Sequence, residues 1–317
     1  MKTRKLGFTG IDLTTIGLGT WAHGGGNWAF SWGSQDDEES MAATIAAVRE
    51  GINWIDTAAV YGLGHSEEVL GRALKKLKGT EIFVATKCSL TWDGNGDVGH
   101  NLRAKSVRAE CEASLRRLQL DTIDLYQIHW PSPEEQIEEG WAAIADLIKE
   151  GKVRFGGVSN FSVEQMKLIR PIHPIASLQP PYSMLRRDVE AELLDFCAKN
   201  KIGVIAYSPL QKGLLTGKIT PEYVAAMGRD DHRRRDPMFN PPAFADISAK
   251  IEKLKKISSE NKITLAQMAV AWLLRRPELT AAIVGARNAW QISQTAPASE
   301  IELSAKTLSK IEEILGA

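Results

Sequence analysis

The chain is expected to fold as a single (β/α)8 TIM barrel with an N-terminal β-hairpin and two extra helices. Three observations predict this. Apolar runs at 16–19, 52–55, 82–85, 124–128, 154–158, 175–178, 203–206 and 281–284 make eight strand candidates. Each run is nearly continuous and each is followed by a helical pattern, as in parallel strands buried on both faces. Asp56, Lys87 and His129 fall at or just beyond the ends of three successive runs, and a barrel of this kind carries its chemistry at that edge. An open doubly wound sheet is the alternative. Eight βα units in 317 residues favour closure.

In chain order, residues 2–6 and 12–16 flank Gly7-Phe8-Thr9-Gly10 and read as a hairpin placed to plug one end of the body. The first core strand, Ile16-Gly17-Leu18-Gly19, ends in Thr20-Trp21. The loop that follows bears Gly24-Gly25-Gly26, Trp28 and Trp32, and either walls a pocket or covers a core edge. Helical spacing runs over 36–50 (Met41, Ile45, Val48), 65–76 (Val69, Leu70, Ala73, Leu74) and 103–118 (Val107, Cys111, Leu115, Leu118). It continues over 134–149, 162–170, 187–200, 264–275 and from 288, with 246–259 and 304–314 outside the eightfold count. Residues 220–242 are the least regular stretch and hold Arg229, Asp230, Asp231, Arg233, Arg234 and Arg235. They read as a mobile solvated loop or as a lid whose cations meet phosphate. No Pro/Gly/Ser-rich linker divides the chain, so residues 1–317 read as one domain.

Composition narrows the function classes. The net charge is zero, which gives no electrostatic footprint for nucleic acid. Cys88, Cys111 and Cys197 form no CxxC, and the histidines are dispersed, so neither a disulfide framework nor a metal site is expected. The N-terminus lacks an apolar core of signal-peptide length, and no run approaches the ~18 apolar residues of a spanning helix. A cytoplasmic protein is expected, with monomer and homo-oligomer both open. Gly62-Leu63-Gly64 has Glu67 where a dinucleotide fingerprint needs a third glycine. The stretch from Gly213 to Lys218 misses P-loop spacing by one residue, with Ile219 in place of Ser or Thr. No GxSxG is present for acyl transfer.

On a barrel rim, Asp56, Tyr61, Lys87 and His129 would converge. That set suits proton delivery to a carbonyl oxygen. A free tyrosine has a pKa near ~10, and a neighbouring ammonium is expected to lower it. Asp56 would keep Lys87 charged, and His129 would orient the substrate oxygen. Taken singly, His129 reads as a core histidine, Lys87 as a rim salt bridge, Tyr207 as packing and Arg287 as a surface residue at a helix start. Their shared placement at strand ends is what gives them chemistry.

At this point the chain resembles the aldo-keto reductases over nearly its whole length. The matching pieces are Gly17-Leu18-Gly19-Thr20-Trp21, Asp56-Thr57-Ala58 with Tyr61-Gly62, Thr86-Lys87, Asp124-Leu125-Tyr126 with His129-Trp130-Pro131, and Gly151-Lys152-Val153-Arg154. Further on come Gly157-Val158-Ser159-Asn160-Phe161, Gln179, Tyr207-Ser208-Pro209-Leu210 and Val284-Gly285-Ala286-Arg287. Ser208-Pro209-Leu210 and Gly285-Ala286-Arg287-Asn288 with Gln291 resemble the bacterial branch related to potassium-channel β-subunits.

The resemblance implies an NADPH-dependent reductase of small aldehydes and ketones, with NADPH extended over the barrel mouth and Tyr61 as general acid. It implies that Thr20, Trp21 and Asp56 lie beside the cofactor, that Ser159, Asn160 and Gln179 hold its carboxamide and that Tyr207 stacks on the nicotinamide. Ser208, Pro209, Leu210, Gly213 and Lys218 would follow the pyrophosphate. Gly285, Arg287 and Gln291 would take the adenosine end, Arg287 and a folded-down Arg235 supplying cations for a 2′-phosphate. Trp21, Tyr61, His129 and Trp130 would line the substrate pocket. The chain departs from the channel-subunit pattern at Gln294 and Thr295, where Glu and Asn would stand. Residues 22–35, 91–101 and 220–242 carry no pattern that names a substrate. Two other readings remain open: a nucleotide-sensing subunit without turnover, which has no need of the full tetrad, and an isomerase or lyase on the same barrel.

Overall fold

The computed structural model describes residues 1–316. A hairpin, β1 (Thr3–Lys5) and β2 (Asp12–Thr14), comes first. Then β3 (Ile16–Gly19), β4 (Trp54–Asp56), β5 (Phe83–Cys88), β8 (Ile123–Ile128), β9 (Val153–Ser159), β10 (Ser177–Gln179), β11 (Gly203–Ala206) and β12 (Ala281–Gly285) close into a parallel barrel, with β12 paired back to β3. Two short antiparallel strands, β6 (Leu90–Trp92) and β7 (Val98–His100), lie beyond the end of β5.

The expected eight strands are therefore the barrel strands, most with ends moved by one to three residues. The helices also follow expectation: α1 (Asp37–Arg49), α2 (His65–Lys76), α3 (Ala104–Leu118), α4 (Ile137–Lys149), α5 (Val163–Ile169), α6 (Leu193–Lys199), α9 (Leu265–Leu274) and α10 (Ala289–Thr295). The extra helices are α8 (Ala243–Glu260) and α11 (Ala305–Leu315), and a short α7 (Pro221–Ala225) lies in the insertion. Their starts are chemically marked. Asp36 accepts from Glu39 N at α1, and Ser162 and Thr264 form capping boxes with Gln165 and Gln267.

Two helices differ from the periodic reading. The segment 187–200 breaks at Glu192 (φ −147°), leaving a 3-10 turn at Asp188–Glu190 ahead of α6. Tertiary ties hold that turn: Arg187 bridges Glu190 and Glu312, and Tyr182 donates to Glu190. The segment 134–149 opens as a 3-10 turn, where the Gln136 side chain accepts from Leu102 N.

The barrel axis is filled from the hairpin end. Leu6 and Leu13 pack with Trp54, Phe83, Leu125, Ile205 and Ile283 in one buried cluster, so the hairpin closes the floor. Trp54 spans the centre, its indole donating to Thr14 O at 2.9 Å. A Cβ on Gly17 would lie 2.1 Å from the Trp54 ring, so the tryptophan and the glycine require each other. Parallel register pairs Gly19 with Asp56, Lys87 with Gln127 and Ser159 with Gln179. The polar ends of these strands are thereby brought to one rim, opposite the plugged floor.

Candidate active site

Asp56 is the last residue of β4 and Lys87 the penultimate residue of β5; both are at most 2% exposed. Lys87 Nζ donates to Asp56 Oδ1 at 2.6 Å, to Oδ2 at 2.9 Å and to Thr57 O at 2.8 Å. It lies 3.4 Å from Tyr61 Oη and 5.1 Å from the centre of that ring. His129 follows β8, and its ring meets Tyr61 edge-on at 5.8 Å. The four expected side chains thus form one cluster. Asp56 also accepts from Gln179 Nε2 at 2.9 Å and from Gln127 Nε2 at 3.4 Å. A buried carboxylate with three donor groups and a full countercharge is a satisfied one.

The Tyr61 turn reaches the site because two glycines face each other. A Cβ on Gly62 (φ +63°) would sit 2.1 Å from Gly24 O, and one on Gly24 would sit 2.5 Å from Gly62 N. This close approach carries Trp21, just after β3, to 6.0 Å from the Tyr61 ring and nearly parallel to it.

The electrostatics differ from the sequence expectation in one respect. Burial pushes the Tyr61 phenol well above its ordinary value, and the Asp56 carboxylate pushes it further. The ammonium of Lys87 does not reverse this, because Asp56 neutralises it at shorter range. Burial lowers the Lys87 pKa and Asp56 offsets much of that. His129 is held well below its ordinary value by burial and then by Lys87 and His100, so it is a neutral imidazole at pH 7. The cluster holds a protonated phenol, a charged ammonium and a neutral ring.

A second polar group borders the first. Ser159 ends β9 and donates to Gln179 O at 2.8 Å, while Asn160 (φ +61°) donates to His129 O at 3.0 Å and to Ser159 Oγ at 3.1 Å. Tyr207, one residue past β11, donates to Asn160 Oδ1 at 2.9 Å. Ser208 (φ +55°), Gln211 (+44°), Lys212 (+54°) and Gly213 (+98°) take left-handed backbone in close succession. Such geometry costs roughly 1–2 kcal/mol at each non-glycine, and it re-aims the chain across the rim beyond β11. Pro209 is buried, Leu210 is half-buried, and Lys218 lies over the exposed Trp290 ring at 4.7 Å. Gly285 ends β12, Arg287 precedes α10, and Gln291 Oε1 accepts from Arg287 N at 2.8 Å. Thr20 donates to Asp56 O at 3.2 Å. Thr295 is buried and donates to Gln291 O, whereas Gln294 is exposed.

The insertion is packed in part: its first half, 220–230, is largely exposed, and the packing begins at 231. Asp231, His232 and Arg233 are buried; Arg233 pairs with Asp231 and lies 4.8 Å over the Trp32 ring. His232 Nδ1 and Ser31 O are 2.9 Å apart, and its ring stacks on Trp21 at 4.8 Å. Arg235, exposed, donates to Ala29 O. Residues 28–35 and 230–236 thereby form one strap beside the rim. Trp130 stands outside it, 42% exposed.

Sequence reading missed Gln127, Thr57 O and His232, while Trp28, expected to wall a pocket or cover a core edge, packs near Tyr61 at 6.4 Å. Gln127 had a signal, because Leu125, Gln127 and His129 share one face of a two-residue period and a lone amide in an apolar strand asks for a partner. His232 had none, since only the strap fold buries it.

Comparison with known proteins bears on the fold and the family. A model of the Aldo/keto reductase family matches residues 15–316. The chain is 39% identical to Aldo-keto reductase YhdN of Bacillus subtilis (strain 168), covering 99% of this chain and 94% of that protein. It is 36% identical to the NADH-specific methylglyoxal reductase of Escherichia coli (strain K12), covering 96% and 95%. The solved structure of the glycerol dehydrogenase AKR11B4 from Gluconobacter oxydans superposes with a TM-score of 0.89 at 39% identity, covering 99% and 94%. From the barrel, the rim cluster and these likenesses, the chain belongs to the aldo/keto reductase family.

Proposed function

We propose that the protein reduces small aldehydes and ketones with NADPH, and that Tyr61 delivers the proton. The observation that carries this is the position of Tyr61 Oη, 3.4 Å from an ammonium that is itself locked to a buried carboxylate. Bound NADPH would supply the hydride. Tyr61, with its pKa held high, keeps its proton at neutral pH and can release it only to an oxygen that is gaining negative charge. Lys87 then stabilises the phenolate left behind, and Asp56 keeps Lys87 charged for that task. Neutral His129 can donate to the same substrate oxygen. Trp21, nearly parallel to the Tyr61 ring, and Trp130, next in the chain after His129, would wall the substrate.

The rim fits a dinucleotide. Gln179 Oε1 meets no donor among the described residues, while the amide nitrogen is held by Asp56; it can accept from a carboxamide, with Ser159 and Asn160 beside it. Tyr207 is oriented by Asn160 to stack on the ring. The kinked stretch with Ser208, Pro209, Leu210 and Gly213, together with Lys218, follows the pyrophosphate. Gly285, Arg287 and Gln291 receive the adenosine end, with Arg235 a second cation on the strap.

NADPH absorbance loss with a panel of small aldehydes tests the activity. Tyr61→Phe should lose turnover by roughly a thousandfold, while NADPH still quenches tryptophan fluorescence. Unimpaired turnover in that variant would remove Tyr61 as the proton donor.

A further inference from the structure

Arg4 and Arg287 are the half-buried arginines that meet no carboxylate among the described residues, and Arg4 is taken up by three backbone carbonyls, Leu274 O, Arg276 O and Leu279 O. Arg117, Arg187, Arg233 and Arg275 each meet a carboxylate. Arg287 meets none among the described residues; its partners are the side-chain oxygen of Gln35, 2.7 Å from Nε, and the carbonyl of Ser34. Gln35 returns the contact, its amide nitrogen donating to Arg287 O at 2.7 Å and to Ser40 Oγ at 3.1 Å. One amide therefore grips both the backbone and the guanidinium of Arg287, across 252 residues of chain. Two properties follow. The guanidinium is aimed, with Nη1 free of protein partners among the described residues. Its charge is also uncompensated, because an amide oxygen orders a cation without neutralising it. A glutamate at the same position would have nearly the same shape and would pair with Arg287.

We propose that Gln35 is the positioning residue that sets nucleotide choice: it holds Arg287 oriented and unpaired for the 2′-phosphate of NADPH, and so separates NADPH from NADH. This rests on the nicotinamide-nucleotide reading above.

Tryptophan-quenching titrations with NADPH, NADH and 2′,5′-ADP on the full-length protein test it, at low and high salt. Gln35→Glu should weaken NADPH and 2′,5′-ADP by on the order of tenfold, leave NADH within about twofold, and flatten the salt dependence of NADPH binding. Gln35→Met, which removes the grip without adding charge, should weaken NADPH alone by about threefold. Wild-type protein that binds neither dinucleotide overturns the nucleotide reading and this proposal with it. Wild-type protein that binds both equally, or variants that lose NADPH and NADH in the same proportion, overturn the assignment of Gln35 only.

Discussion

Replacing Asp56 by asparagine changes one oxygen into an amino group at constant volume, so it isolates the charge. The carboxylate receives Lys87 at 2.6 and 2.9 Å, Gln179 at 2.9 Å and Gln127 at 3.4 Å. With donors on both oxygens, an amide nitrogen at either one meets a donor head-on. Breaking a buried ion pair from one side costs about 3–5 kcal/mol, because the surviving charge stays desolvated. Lys87 limits the loss by giving up its proton. Burial already lowers its pKa, and Asp56 is the main group that offsets this. Without Asp56 the folded-state pKa of Lys87 drops further below the unfolded value of ~10.4, so the folded chain binds fewer protons and its stability rises with pH towards that value. Asp56→Asn is therefore expected to lose about 3 kcal/mol at pH 7 and to regain part of it between pH 7 and 10. Adding Lys87→Met removes the stranded ammonium and should recover about half the loss. Urea denaturation followed by tryptophan fluorescence measures all three proteins. A single variant within about 0.5 kcal/mol of wild type, or a double variant no more stable than the single one, refutes the reasoning.

Two further outcomes follow from the packing and the buried imidazoles. Trp54→Ala empties the barrel axis and strips Thr14 O of its donor, so it should destabilise by about 3–5 kcal/mol; a loss under about 1 kcal/mol in the same urea assay would contradict the central role of that ring. Burial holds His23 and His232 down to about 4, so both are neutral when folded and protonated when unfolded at mildly acid pH. Their contribution is complete above the unfolded value near ~6.5 and is lost as pH falls towards 4, up to about 3 kcal/mol each. Glu110 acts in the opposite sense. Burial raises its carboxyl to about 7, so its protonated folded form adds stability at low pH that disappears as pH rises from about 4.5 to 7. Urea midpoints should thus fall on acidification below pH 6, and a His23→Gln, His232→Gln double variant should show a shallower slope, the remainder coming from buried His129.

The strand count, the order of the helices and the four rim groups were all legible in the chain. Apolar runs of strand length and 3.6-residue periodicity are local signals, and Asp56, Lys87 and His129 announce themselves by standing at run ends. The helix breaks at Glu192 and at Gln136 were not legible, because ties to Tyr182, Glu312 and Leu102 decide them. Nor was the β6–β7 hairpin, whose strands are three residues each and stand where the sequence reading placed only a loop.

By itself the sequence determined which residue types stand at which strand ends, since spacing along the chain sets which face and which end a side chain occupies. Only the tertiary structure decided their electrostatics. Tyr61 sits closer in effect to the Asp56 charge and to buried surroundings than to a free ammonium, which turned its pKa upward. The charged stretch 231–235 became a packed strap because Trp32, Ser31 and Ala29 lie opposite it. Arg287 became an unpaired cation because an amide, and not a carboxylate, faces it from 252 residues away. Field and solvation depend on what folding brings within a few ångströms, and neither is written in local order.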